Sequence, residues 1–389
     1  MESGSRRQDT KSRKTRLKVA KKPAARKPGR QPTELRALLQ SVLPSEVQLE
    51  AVQTCLEHVQ ILARQLLGET AVVVQGSYAQ GLALQSSDLD IAVIRPKADR
   101  SGAKQCLQLL AQALQEAKLP EIRVALKIFS AKVPVLRLHC GKKVVDVSVG
   151  DSLLRGACDR AVYALLQRDR SNTAVPLCRL VKLWAKRRKL TNTLKGGLSS
   201  FGFVLLTIFF LQQRRLLPSQ ASVTSRPQPA DPEQCCPPPL GLQVRASEPE
   251  LAQLLADFFT WADGLPAKTS ISIASATLRA GPKPLVLEVP FAPEENAARC
   301  LRPDVWRLMQ EELSQAKGLA EQMAQGQPLL NSLFSQEPEP RKRKRKPREP
   351  EPLPKLRKRR KQTAKPPKVA APVAPVKRWL GLRSLLDPR

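Results

Sequence analysis

The sequence predicts an α+β protein: a mixed sheet with helices packed on it, then a mainly helical region, with a disordered basic tail on either side. Three observations lead there. Residues 71–94 read AVVVQGSYAQGLALQSSDLDIAVI, two apolar runs broken by Gly76-Ser77 and by Asp88-Leu89-Asp90, which is strand, tight turn, short helix and strand. From about Ser152 the apolar residues recur at helical spacing instead. Of a formal net charge of +32, residues 1–30 hold 12 Lys/Arg against 2 acids and residues 341–389 hold 19 against 3, so most of the charge lies outside the part that can bury a core.

Taken in order, residues 1–32 have almost nothing to bury and are expected to be disordered, with order beginning near Thr33. In Glu46–Leu67 the residues Val47, Leu49, Val52, Leu56, Val59 and Leu62 fall at helical spacing. The strand-turn-strand unit follows, and a polar turn leads to a second amphipathic helix at about 103–117. EIRVALKIFSAKVPVLRLH and KKVVDVSV supply more strands, which completes a sheet domain over 33–151. Residues 152–330 form the helical domain, interrupted by a Pro-rich loop at 218–247, and 331–389 form the second tail. No internal repeat is visible.

The composition excludes several classes. A sequence pI near 10.4 is out of place in an enzyme of small acidic metabolites and points to a polyanionic partner. Eight cysteines without a C-x-x-C pair, and only two histidines, His58 and His139, exclude a zinc finger and suggest a reduced compartment. No apolar run reaches membrane-spanning length, and the Arg/Lys-rich start reads neither as a secretory signal nor as an organelle transit peptide. The basic clusters at 341–361 read as a bipartite nuclear signal or as a phosphate-binding arm, so the nucleus, nucleolus included, is expected ahead of an organelle.

The candidate chemistry starts from spacing. Asp88 and Asp90 are two apart on a strand, so both carboxylates face one side while Leu89 faces the other. Two such acids repel, and hard oxygen donors beside phosphates favour Mg²⁺ (or Mn²⁺) between them. Gly76 permits close backbone approach to a triphosphate, and Ser77 adds a hydroxyl. Asp146, alone in the β-branched run VVDVSV, is costly there unless it is paired or binds a metal.

Gly-Ser, Asp-x-Asp and a lone Asp on a later strand resemble the nucleotidyltransferase superfamily of DNA polymerase β. PLCRLVKLWAKRRKLTNTLKGGLSSFGFVLLTIFFLQ places Lys182 and Lys186 on one helical face, then a Gly-Gly break, Ser199-Ser200 at a helix start, and an apolar helix. This resembles the noncanonical poly(A) polymerases and terminal uridylyltransferases. LAQLLADFFTW and LVLEVPFAPEENAARCLRPDVWRLMQEEL are similar to that family's poly(A)-polymerase-associated region, and the likeness runs over about 46–325.

The resemblance implies a nucleotidyltransferase palm followed by a poly(A)-polymerase-associated domain. It implies untemplated, in-line attack of an RNA 3′-hydroxyl on the α-phosphate of a nucleoside triphosphate, with Asp88, Asp90 and Asp146 as two-metal ligands. Lys182, Lys186, Gly76 and Ser77 would then hold the triphosphate, Ser200 and Phe201 phosphate and base, and Glu295 and Asn296 the base edge. An acid at Glu295 accepts from the adenine amino group and repels uracil O4, so ATP is expected ahead of UTP. The alternatives are a uridylyltransferase and an inactive RNA-binding scaffold of the same fold. RNA 3′ ends and a triphosphate are the expected partners, with no membrane and with protein partners open through the tails. Three positions depart from the family: Val289 stands where it often has Asp, Phe201 where many members have Tyr, and Arg160 where it has an Asn that meets the ribose.

Overall fold

The computed structural model describes residues 35–335 apart from 69, 96–97, 132, 151–152 and 224–246. The expected tail at 1–32, all but residues 331–335 of the expected tail at 331–389, and residues 224–246 of the Pro-rich loop expected at 218–247 lie outside the described residues. No described helix is long and apolar enough to cross a membrane.

After a short helix α1 (Leu35–Ser41), Ser45 starts α2 (Glu46–Leu67) with a capping box, its hydroxyl accepting from Gln48 N–H while the Gln48 side chain accepts from Ser45 N–H. The strands β1 (Ala71–Gln75), β2 (Leu89–Ile94), β3 (Ile122–Ile128), β4 (Val135–Cys140) and β5 (Lys143–Gly150) form one sheet in the order β1-β2-β5-β4-β3. Among the described strands of this sheet, β2 and β5 alone pair in parallel. The short helix α3 (Gly76–Ala79) links β1 toward β2, and α4 (Arg100–Ala117) crosses from β2 to β3.

Strand alternation gives the sheet one apolar face. Ile91, Val93, Val145, Val147, Leu136 and Leu138 are buried there against Leu56, Val59, Leu107 and Leu110 of α2 and α4. The opposite face is left for chemistry. Val47, which the helical spacing placed with the core, is 72% exposed in the first turn of α2.

The second core is built on α5 (Leu153–Leu166), α6 (Ala174–Arg187), α7 (Ser200–Gln213), α9 (Glu248–Asp263) and α10 (Pro303–Ala324), with a one-turn helix α8 (Gln220–Val223) inside the stretch expected to be loop. Trp184 is fully buried with ring contacts to Phe203 and Phe259 at centroid distances of 6.2 and 4.9 Å, edge-to-face pairs worth about 1 kcal/mol each beyond area burial.

Two expectations need correcting. The helical region also holds a four-stranded sheet, order β7-β6-β8-β9, from β6 (Thr269–Ser272), β7 (Thr277–Ala280), β8 (Leu285–Val289) and β9 (Ala292–Asn296). Strands as short and polar as TSIS and TLRA carry too little alternation to stand out in the sequence. The ordered chain also continues past residue 330 into α11 (Leu330–Leu333): Leu333 and Phe334 are buried, and Arg187 donates to Phe334 O at 2.9 Å.

Candidate active site

The strand register assembles the acids. Asp90 of β2 lies opposite Asp146 of β5, Gln75 of β1 opposite Asp90, and Arg137 of β4 opposite Asp146. Residues paired in a ladder share a face, so Arg137, Asp146, Asp90 and Gln75 form one row across four strands on the face away from α2 and α4. Asp88 stands exposed just before β2, separated from Asp90 by the fully buried Leu89.

Gly76 turns the chain out of β1 at φ +64°, and a Cβ there would press into the Asp90 carboxylate, 3.3 Å from its Cγ. Its own N–H is engaged within the protein. It donates at 2.7 Å to Asp159 Oδ2 on α5, whose other oxygen accepts from Gln80 Nε2 at 2.6 Å. Burial pushes the Asp159 carboxyl up to about 6, and these two hydrogen bonds pull the other way. Gly76 thus serves by lying flat against Asp90, with Asp159 as its anchor.

Eight of the expected residues meet in one cleft of about 320 Å³. Gly76, Ser77, Asp88 and Asp90 come from the sheet domain, with Gln80 and Ser87; Lys182, Lys186, Ser200 and Phe201 come from α6 and α7, with Ser199 and Val204. Ser199, not Ser200, caps α7, its hydroxyl accepting from Gly202 N–H, which leaves Ser200 in the first turn facing the cleft. Burial pushes the Asp90 carboxyl up to about 7, with Asp146, Asp159 and Asp88 adding repulsion. Burial also pulls the Lys182 ammonium down to about 7, with Lys186 adding to it. Lys182 is only 4% exposed, because α6 is buried nearly all round from Ala174 to Ala185, and not merely on the face of Leu180, Leu183 and Trp184.

The remaining three expected residues stand apart. Both oxygens of Asp146 are held by Arg137, Nε and Nη2 donating at 2.7 Å each, and this pair raises the Arg137 pKa above its ordinary value. Glu295 is exposed on β9 and does not line the cleft. Asn296 also lies outside it, its Oδ1 accepting from Leu287 and Ala298 N–H at 2.9 and 2.8 Å to lock the β8–β9 hairpin. The hairpin docks on α5, where Cys158 Sγ donates to Pro290 O at 2.9 Å. Arg160, at the place of the family's Asn, is half-buried beside Asp159.

Sequence reasoning missed Arg137, Lys143 and Asp159. Asp159 alone left a trace, as the single acid of the helix LLRGACDRAVYALL.

The donor set suits a divalent cation only in company. Among the described residues no three carboxylate, imidazole or thiol groups converge as a closed ligand set, since Asp146 faces Arg137. Mg²⁺ normally takes one or two carboxylates and completes its shell with substrate phosphates and water. Asp88 and Asp90 beside two lysines in an open cleft match that requirement, and a cation there would relieve the burial and acid–acid repulsion that raise the Asp90 pKa.

Comparison with known proteins places this geometry. Residues 32–153 match the family model described as poly(A) RNA polymerase, mitochondrial-like, central palm domain. The poly(A) RNA polymerase gld-2 of Caenorhabditis elegans is 30% identical over 147 residues, 37% of this chain and 13% of that protein. The terminal uridylyltransferase cid1 of Schizosaccharomyces pombe is 24% identical over 178 residues, 43% of this chain and 41% of that protein. The chain therefore spans less than half the length of either relative. Among solved structures, mtPAP in complex with UTP superposes with a TM-score of 0.64 at 18% identity, over 82% of this chain and 77% of that one. The Cid1 poly(U) polymerase superposes with a TM-score of 0.62 at 18% identity, over 78% and 97%. Residues 32–153 thus match a poly(A) RNA polymerase palm, and the chain is similar over part of its length to a poly(A) RNA polymerase and to a terminal uridylyltransferase and shares the fold of mtPAP and Cid1.

Proposed function

We propose that this chain adds nucleotides to RNA 3′ ends without a template, transferring AMP from ATP. The observation that carries the reading is the convergence of Asp88 and Asp90 with Lys182, Lys186, Ser77 and Ser200 in one cleft. Lys182 and Lys186 bind and orient the triphosphate, and its negative charge returns the Lys182 ammonium to the fully protonated form that burial disfavours. Phe201 at the rim offers a ring on which any base can stack. Asp88 and Asp90 would hold Mg²⁺, with Mn²⁺ able to replace it, and Asp146 would join them once Arg137 lets go. Such ions would neutralise the phosphates and acidify the attacking hydroxyl. Gly76 and Asp159 keep the Asp90 carboxylate in place for that role.

The preference for ATP is supported by the poly(A)-polymerase type of the matching palm, not by Glu295, which stands away from the cleft. UTP is the second reading, favoured by the uridylyltransferase among the relatives. The basic tails belong to the same proposal, as RNA-binding arms and as the address to the nucleus.

The test is competition between equal ATP and UTP on one labelled single-stranded RNA with Mg²⁺. Adenylate addition that stops in Asp88→Asn is expected. Preferential uridylate addition would move the assignment to UTP, and addition of neither would overturn the proposal.

A further inference from the structure

The loop from Gly81 to Ser87 delivers Asp88 to the cleft, and four cations grip its carbonyl groups. Arg179 Nη2 donates to Gly81 O at 2.9 Å, Lys182 Nζ to Leu82 O at 3.0 Å, and Lys186 Nζ to Ser86 O. Lys143 Nζ donates to both Gln85 O and Ser87 O at 3.1 Å. The four differ in what else they can do. Lys182 and Lys186 line the cleft, so a bound triphosphate competes with the loop for their protons. Arg179 holds only the far end of the loop. Lys143 lies behind it, 6% exposed and 5.6 Å from the centroid of the Tyr78 ring, where no phosphate in the cleft competes for its ammonium.

We propose that Lys143 is a positioning residue that fixes the Ser87–Asp88 peptide, so that Asp88 keeps its place when Lys182 and Lys186 turn from the loop to the triphosphate. This rests on the reading of the cleft as a nucleoside triphosphate site. The geometry gives a division of labour. A charge-assisted hydrogen bond to phosphate is about as strong as one to a backbone carbonyl or stronger, so substrate binding loosens the loop at Leu82 and Ser86. The two bonds from Lys143 bracket Ser86, and one of them is to the carbonyl of the Ser87–Asp88 peptide itself. A loop held there cannot rotate that peptide, and the Asp88 side chain is fixed with it. Burying an ammonium costs free energy unless it is fully hydrogen-bonded or near an anion, and Lys143 has two carbonyls, a ring face and the Asp88 charge nearby.

A purely structural lysine would change melting temperature alone. A positioning lysine changes the coupling between nucleotide and metal, and the two are separated by titrating Mn²⁺ by electron paramagnetic resonance, with and without saturating α,β-methylene ATP. The wild-type protein is expected to bind Mn²⁺ more tightly with the analogue. In Lys143→Met, Mn²⁺ affinity without nucleotide should stay within about threefold of wild type, while at least about tenfold of the tightening by the analogue is lost. Lys143→Arg, which still reaches the two carbonyls, should regain it. Equal tightening in Lys143→Met and wild type would overturn the inference. If the Met variant does not fold, Lys143→Gln, which can donate to one carbonyl, is judged by the same criterion. Failure of the wild-type protein to bind the analogue would instead overturn the nucleotide-site reading, and this inference with it.

Discussion

Gly76→Ala is the substitution for which the structure gives the most definite expectation. Two effects follow from one methyl group. At φ +64° an alanine pays the left-handed backbone penalty of about 1 kcal/mol, which in a domain of this size lowers Tm by roughly 2–4 °C. The new Cβ also overlaps the Asp90 carboxylate, whose oxygen has to retreat by roughly 1 Å to restore an ordinary contact. A displacement of that size at a reacting centre costs about 100-fold in rate, or about 2.7 kcal/mol of transition-state stabilisation. The variant should therefore fold, melt slightly early, and add nucleotides about 100-fold more slowly at saturating triphosphate and Mg²⁺. Thermal melts and a primer-extension time course on the same preparation measure both quantities. Activity within about threefold of wild type would refute the reasoning, because it would mean that the close approach of Gly76 to Asp90 does not set the carboxylate position.

Three further outcomes follow from the charges. Asp90 has a folded-state pKa near 7, above its ordinary value, so its contribution to the stability of the metal-free protein is full below about pH 4 and is lost as pH rises through 7. Melts in chelator should show a loss of order 2 kcal/mol between pH 5 and pH 8, most of which Asp90→Asn removes; an unchanged pH profile in that variant would contradict the assignment. Arg137→Gln leaves Asp146 beside Asp90 without a cation, which should cost about 1–2 kcal/mol in metal-free protein. Added Mn²⁺ should then stabilise this variant more than wild type, since no ion pair has to open first, and equal stabilisation would count against competition at Asp146. Removing residues 1–30 and 341–389 should flatten the salt dependence of RNA binding while turnover on saturating RNA survives; an unchanged salt slope would leave the tails as an address only.

The parts legible in the sequence were those fixed by local pattern. Apolar spacing marked α2 over Glu46–Leu67, and the apolar, β-branched runs around the acids located β2 and β5. The spacing of four put Lys182 and Lys186 on one helical face, their role came only from the resemblance, and neither could say that Lys182 would be buried. What stayed hidden depends on contacts between distant segments. Asp159 reaches Gly76 across 83 residues and Lys143 reaches Ser87 across 56, and in the sequence Lys143 is one of two lysines in a hairpin turn. Arg137 had the same disguise, a cation alternating with apolar residues on a strand, until the register put it on Asp146. For Glu295 the linear motif could not give orientation: the β8–β9 hairpin meets α5 at Cys158, and Glu295 is exposed and does not line the cleft.

The central claim is that Asp88 and Asp90 direct a terminal 3′-hydroxyl onto the α-phosphate held by Lys182 and Lys186. Its most direct test is extension of a 5′-labelled single-stranded RNA with Mg²⁺ and ATP, run beside the same RNA ending in a 3′-deoxynucleotide. The account predicts stepwise extension of the first RNA, none of the second, and none of either by Asp90→Asn. Extension of the 3′-deoxy RNA, or undiminished extension by Asp90→Asn, would contradict it.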